Sequence, residues 1–468
     1  MYYISDMKNS KIYQAISSLS DSELKSLRKS LGSELFKASK EHLSTFDMIV
    51  KSERNGKSIS RSDINSQVYD NQANDTYIRN ILSDLYKLVE KWIVVQQAIS
   101  DDAYQHKILL QHYRNQDQKK LFNSHITKAK DQSTQLRNAE SIDQHYEILL
   151  EEYNFKSTHT RTQNLNIQEL LDLLDVGYLA KKLRQVCFSI AHQSVSGNAY
   201  DKGLLDRVID EIEHSKYKDQ PAITLYHSAM MMLSYPLESN HFVAFKANLD
   251  ANSQYFPDEE LRSLYLFAIN QCIRMINRGE IEYGRECLAL YHTALEKGYF
   301  LLDGYLSRYT YNNVAAIAIK VGDFDWAEQF SNEYKSYLRA EEKESSYHLN
   351  LANVNYQKKK YDEALDSLQI VDFSDHLFNL VAKTIQMKIY YETEEYNLLD
   401  SHLDAMQMYL LRKKVIGYHK NNYKNVIKYT KRLVKCNFYD KEEKTELSEL
   451  VKSEGVLSEK KWLLEQLG

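Results

Sequence analysis

Apolar residues recur along this chain at intervals of three and four, the spacing that places them on one face of an α-helix. Ile78, Ile81, Leu82, Leu85, Leu88, Val89 and Trp92 form one such stripe and predict a helix over 75–97. Leu24, Leu27 and Leu31 form another. Ser20-Asp21-Ser22-Glu23 introduces it, with Ser20 as cap and Glu23 at the third helical position. Helices are also expected over 40–51 and 61–69, separated by a polar loop over 52–60 that contains Asn55-Gly56. Residues 103–152 read as helical but polar, with few apolar anchors, which predicts a linker helix or a hairpin. Residues 155–162 read as a polar loop.

Beyond residue 166 the pattern becomes rhythmic. An apolar helical run stops at a short polar turn, and a second helix opens with a large apolar residue. This joint recurs at Tyr200, Phe242, Ile281, Phe324, Tyr361 and Tyr396, a spacing of 35 to 43 residues. A period in that range predicts stacked helical hairpins. Helices are expected in pairs over 258–278 and 281–297, 303–321 and 324–340, 345–358 and 361–371, and 376–392 and 396–411. Pro221 and Pro257 fall where helices should start, the place where a missing N–H costs least. The chain holds only 3 prolines and 13 glycines, so long helices meet few interruptions.

The best-formed joint runs from Asn350-Leu351-Ala352 through Tyr356 to Tyr361-Asp362-Glu363-Ala364-Leu365. Ala352 and Ala364 are small enough for two helix axes to approach. Tyr361 fills the wedge beside the turn, and Asp362 and Glu363 sit where the helix dipole favours negative charge. This stretch resembles a tetratricopeptide repeat, and Val314-Ala315 with Gly322-Asp323-Phe324 and Ala327 resembles a second. The small residue three positions after the joint is replaced by Phe245 and Leu399 in two copies, and the spacing exceeds the standard 34 residues. The resemblance implies a right-handed superhelix that binds protein segments on its concave face and catalyses nothing. It implies groove positions at Asn313, Lys320, Asn350 and Asn353, because such grooves present Asn and Lys to peptide backbones and carboxylates.

Composition adds boundaries. A 43% share of hydrophobic residues supports a folded core, and a net charge of -5 implies no partner by itself. No apolar run is long enough for a membrane span, and Met1-Tyr2-Tyr3-Ile4 does not read as a signal peptide. Four scattered cysteines, Cys187, Cys272, Cys287 and Cys436, read as buried free thiols of a cytoplasmic protein. The 36 tyrosines read first as a compositional habit.

Candidate chemistry is sparse. Asn55-Gly56-Lys57-Ser58 ends like a phosphate-binding loop, but Lys51 stands where that motif needs glycine. Glu238 and His241 have di-iron spacing without a second copy, which reads as a solvated helix start. No catalytic or metal-binding motif is found, so neither an enzyme nor a cofactor is expected. Residues 412–435 carry nine Lys or Arg, including Lys413 and Lys414, and no Asp or Glu. Lys420, Lys424, Lys428, Lys431 and Lys435 form a stripe there, interleaved with Tyr423 and Tyr429. A solvated helix face, an acidic protein and nucleic acid are all open readings of it. Helix 61–69, a tight turn and the helix from 75 resemble a helix-turn-helix, with Tyr77, Arg79, Asn80 and Ser83 at the front of the second helix.

The expected molecule is all-α. It has an N-terminal helical domain over 1–100, a helical linker over 101–165, a right-handed α-solenoid of tetratricopeptide-like hairpins over 166–411, and basic capping helices over 412–468. The expected function is a non-catalytic scaffold or adaptor that binds another protein or peptide segment, with no membrane partner. The alternative is a DNA- or RNA-associated regulator.

Overall fold

The computed structural model describes residues 7–57, 59–160, 165–372, 376–412 and 417–468. Among them are twenty-three α-helices and one short β-hairpin, so the chain is essentially all-α. None of the described helices is long and apolar enough to cross a membrane. The chain divides into two compact units, with the boundary between Tyr178 and Leu179.

In the first unit, α1 (Lys11–Ser17), α2 (Asp21–Leu31), α3 (Lys40–Arg54), α4 (Arg61–Val68) and α5 (Asp75–Ser100) enclose one core. Ile16, Leu27, Phe46, Ile64 and Leu85 are its most deeply buried members. The predicted capping box forms: the Ser20 hydroxyl accepts from Glu23 N–H, and the Glu23 carboxylate accepts from Ser20 N–H. Helix α3 continues through Arg54, so the expected loop at 52–60 is shorter than its polar composition suggests.

Residues 101–160 correct the sequence reading. They form α6 (Asp102–Asn115), α7 (Lys119–Ser133) and α8 (Ala139–His159) around a core of Leu110, Phe122, Ile126, Ala129, Ile148 and Phe155. The expected polar loop from 155 is helical as far as His159, and the Phe155 ring stacks on Phe122 at 4.0 Å. Its continuation at Arg161 and Thr162 lies outside the described residues. Polar residues are accommodated because they pair inside the cluster. Glu151 receives Arg114 at 2.8 Å, and Glu152 receives Lys130 at 2.6 Å and Lys156 at 2.7 Å. Buried carboxylates persist only with such partners.

The unit boundary falls within α9 (Ile167–Ser196), not at residue 165. The second unit continues with α10 (Leu205–His214), α11 (Pro221–Ser234), α12 (Ser239–Asn252), α13 (Asp258–Asn277) and α14 (Tyr283–Glu296). Then come α15 (Arg308–Lys320), α16 (Phe324–Tyr334), α17 (Ala340–Gln357), α18 (Tyr361–Ile370), α19 (His376–Glu392) and α20 (Tyr396–Arg412). Helices α21 (Gly417–Lys435), α22 (Lys441–Ser453) and α23 (Lys460–Leu467) complete it. From α11 to α20 consecutive helices pair, and α11, α15 and α17 also touch the helix two places on. Pro221 opens α11 at its first residue and Pro257 caps α13. All four cysteines are buried free thiols.

Four of the six joints share one turn, whereas Phe242 lies inside α12, which opens at Ser239. Gly322 lies at φ +85°, its N–H bonded to Ile319 C=O at 3.0 Å, and Asp323 N–H reaches Ala318 C=O at 2.9 Å. That pair of bonds is a Schellman motif, which satisfies the last carbonyls of α15. Gly279, Lys359 and Glu394 repeat it at φ +101°, +60° and +61°. The next helix opens two residues later at Phe324, Tyr361 and Tyr396. At Ile281 the restart is delayed to Tyr283. Tyr200 is no helix start: its hydroxyl binds His192 Nδ1 at 2.7 Å, and α10 begins only at Leu205. Ala352 and Ala364 are fully buried, as close packing of α17 on α18 requires.

The helix expected from 303 begins at Arg308 instead. β1 (Leu301–Leu302) pairs antiparallel with β2 (Tyr305–Leu306) ahead of it. Asp303 and Gly304 between them both have positive φ, the two-residue turn that Asp-Gly favours.

Candidate binding surface

The four expected groove residues stand on α15 and α17, and they do not share one environment. Asn313 is exposed, and its side chain is hydrogen-bonded to the Tyr291 hydroxyl. Lys320 Nζ donates to Asn277 Oδ1 at the end of α13, at 3.2 Å. Asn353 is half-buried on α17. Asn350 is a correction: it is buried, and its Nδ2 donates to Ser331 Oγ at 3.3 Å, so it faces α16 and offers nothing to a partner. The amide satisfies a buried hydroxyl, as interior polar groups must be satisfied.

Lys320 is electrostatically distinct. Desolvation lowers its pKa below the ordinary lysine value, Lys461 lowers it further, and Glu459 acts in the opposite sense. Among the described residues it makes no ion pair; its partner is a neutral amide. The Lys320 side chain is exposed, so its ammonium is open to solvent.

One carboxylate of the unit, among the described residues, gathers donors from well-separated positions that spacing does not reveal. Glu392, at the end of α19, accepts four hydrogen bonds from three other segments. Tyr356 Oη reaches Oε1 at 2.5 Å and Trp462 Nε1 reaches it at 2.8 Å. Lys359 Nζ and Tyr361 Oη reach Oε2, each at 2.6 Å. Burial pushes the carboxyl pKa up, but the donors from Lys359, Tyr356, Tyr361 and Trp462 outweigh it and hold the group at about 2. Lys388 lies 5.6 Å from the centroid of the Tyr356 ring and 5.8 Å from that of Trp462, and it pairs with Glu459. Tyr361, read as a wedge beside the turn, is therefore also a ligand of the following hairpin, and α23 is fastened to the α17–α19 layer. Spacing cannot show a contact between residues this far apart in the chain.

The basic stripe of α21 is partly spent. Lys431 binds Asp404 at 2.5 Å, and Arg432 lies 3.8 Å from Glu446. Lys424, Lys428 and Lys435 are exposed and Lys420 is half-buried; Lys413 and Lys414 lie outside the described residues. Tyr423 and Tyr429 are buried in the C-terminal core, so neither presents a ring for a base to stack on. In the first unit Tyr77, Arg79, Asn80 and Ser83 are exposed at the start of α5. Tyr77 packs edge-on against Tyr69, and Asp75 holds both Arg79 at 2.8 Å and Arg61 at 3.0 Å. That carboxylate commits Arg79, the only charged one of these four residues, to an ion pair.

The remaining motifs resolve simply. Gly56 and Lys57 follow the end of α3, whereas a phosphate loop opens a helix; Ser58 lies outside the described residues. Glu238 caps α12 and pairs with His241 at 3.1 Å. Among the described residues no group of three or more His, Cys, Asp or Glu side chains is placed to hold a metal. No family model matches this chain, and neither a curated protein nor a solved structure matches it.

Proposed function

We propose that the second unit is a right-handed, tetratricopeptide-like solenoid that binds a carboxylate-bearing protein segment at Lys320, and that the protein acts as a non-catalytic scaffold. The observation that carries the reading is the exposed Lys320 ammonium, held by the neutral Asn277 amide and unpaired with any carboxylate among the described residues. Asn313 on α15 is exposed and Asn353 on α17 half-buried, and both are offered as further hydrogen-bonding groups for a peptide backbone. The repeated Schellman turns and paired helices support the hairpin architecture. The nucleic-acid reading is not adopted, because the tyrosines of α21 are core residues and the head arginines are held by Asp75.

The test is a selection of peptides with free C-termini on the full-length protein, followed by titration. Binders should lose about tenfold in affinity on C-terminal amidation or acid neutralisation, and again with Lys320→Glu. Binding that is indifferent to Lys320→Glu would remove the assignment.

A further inference from the structure

Helices α12 and α14 flank a groove of about 770 Å³. It is lined by apolar Phe242, Val243, Ala247 and Tyr283, and by charged Lys246, Asp250, Glu280, Glu282 and Glu286. Two joints of the irregular array meet here. Where a small residue would let helices close up, α12 carries Phe245, and α14 starts two residues late at Tyr283.

The charges do not cancel. Lys246 is taken by Glu286 at 2.5 Å. Asp250, Glu280 and Glu282 have no cation at ion-pair distance among the described residues, so three carboxylates surround the groove uncompensated. The Tyr283 hydroxyl registers that field: desolvation first, then Glu280, Cys272, Glu282 and Glu286 raise its pKa. The apolar lining is open to solvent at Val243, which is 64% exposed, while Phe242 and Tyr283 meet edge-on at 5.5 Å beside it.

We propose that this groove docks a basic amphipathic segment of another protein, its apolar side chains on Val243, Ala247 and Tyr283 and its Lys or Arg residues on Asp250, Glu280 and Glu282. Exposed ion pairs contribute little singly, so the apolar contact must carry affinity while charge selects the partner. A phosphate-bearing partner is repelled by the same carboxylates. A second copy offering α21 fits poorly. That helix buries Tyr423 and Tyr429 in its own core and commits Lys431 to Asp404, so it has no apolar face to give. This groove attracts the opposite charge to Lys320, which binds Asn277 three positions before Glu280.

The experiment titrates full-length protein with a fluorescein-labelled Leu/Lys amphipathic peptide and with its Leu/Glu counterpart, read by anisotropy. The Leu/Lys peptide should bind and the Leu/Glu peptide should not. Asp250→Lys with Glu280→Lys should weaken binding about tenfold, and Val243→Asp should weaken it several-fold. Asp250 and Val243 are exposed and Glu280 half-buried in a turn, so the circular-dichroism melt should not move. Absence of Leu/Lys binding overturns the proposal. So does Val243→Asp binding as well as the parent, which means charge without docking. Self-association abolished by the double charge reversal also overturns it, by making a second copy the occupant.

Discussion

Trp462 and Glu392 stand seventy positions apart and are joined by a 2.8 Å hydrogen bond from the indole Nε1 to carboxylate Oε1. The indole also meets Tyr391 edge-on at 5.4 Å. Trp462→Phe keeps most of the ring packing and deletes the donor. Hydrogen bonds to charged groups contribute about 1.5–3 kcal/mol, so a urea midpoint shift corresponding to at least about 1 kcal/mol is expected. Trp462→Ala should cost about 3–5 kcal/mol, since it empties part of the core as well. A Trp462→Phe variant as stable as the parent would show that the bond contributes nothing.

Acid should find the same carboxylate. Glu392 titrates at about 2 in the folded protein against 4.5 ordinarily, so between those values the unfolded chain binds more protons. Its contribution is complete above about pH 4.5 and is lost as pH falls toward 2. The full span is on the order of 3 kcal/mol. Glu392→Gln should therefore be less stable at neutral pH and show a shallower decline through that window. An acid limb parallel to the parent's would assign the acid sensitivity elsewhere.

Gly284 sits inside α14 with no need for its backbone freedom, and the reason for it is Val321. A Cβ on residue 284 would fall within the van der Waals envelope of Val321 Cγ1. Alanine normally favours a helix over glycine by about 1 kcal/mol, yet Gly284→Ala should destabilise by about 1–3 kcal/mol through overpacking. Combining it with Val321→Ala should recover part of that loss. A more stable Gly284→Ala single variant would mean that the two helices can move apart freely.

The Schellman turns predict changes of opposite sign. Gly322 at φ +85° should lose about 1 kcal/mol on substitution by alanine. Glu394 holds the equivalent place at φ +61° with an exposed side chain, so Glu394→Gly should be neutral or stabilising by up to about 1 kcal/mol. Thermal melts of the two variants decide the matter. A strongly destabilised Glu394→Gly would show that its side chain holds the joint.

Local signals were the readable ones. The Ser20 capping box and the helix starts at Phe324, Tyr361 and Tyr396 depend on residues within one turn of each other, and spacing exposes them. Asp303-Gly304 is equally local: it is an Asp-Gly turn between Leu301-Leu302 and Tyr305-Leu306, where a helix is expected from 303. Phe155 was hidden because Lys156, Ser157, Thr158 and His159 after it read as a loop, while its partner Phe122 lies on another helix. Residue type alone points Asn350 outward, whereas its amide donates to Ser331 in the interior. Glu392 was beyond reach, since its donors come from positions 356, 359, 361 and 462. The groove between α12 and α14 showed only as a lost small residue at Phe245, with no hint of the carboxylates around it.

Glu392 also sets an order of events during synthesis. When Glu392 has left the ribosome, with the hairpin of Tyr356 and Tyr361 already out ahead of it, the indole that completes this carboxylate is still seventy positions behind. At about 5–20 residues per second that interval lasts roughly 4–14 s. For that time the nascent array carries a charged group short of one donor and an uncovered apolar end. Chaperone capture and premature association should be concentrated there, and a chain that terminates early should stay in that state permanently.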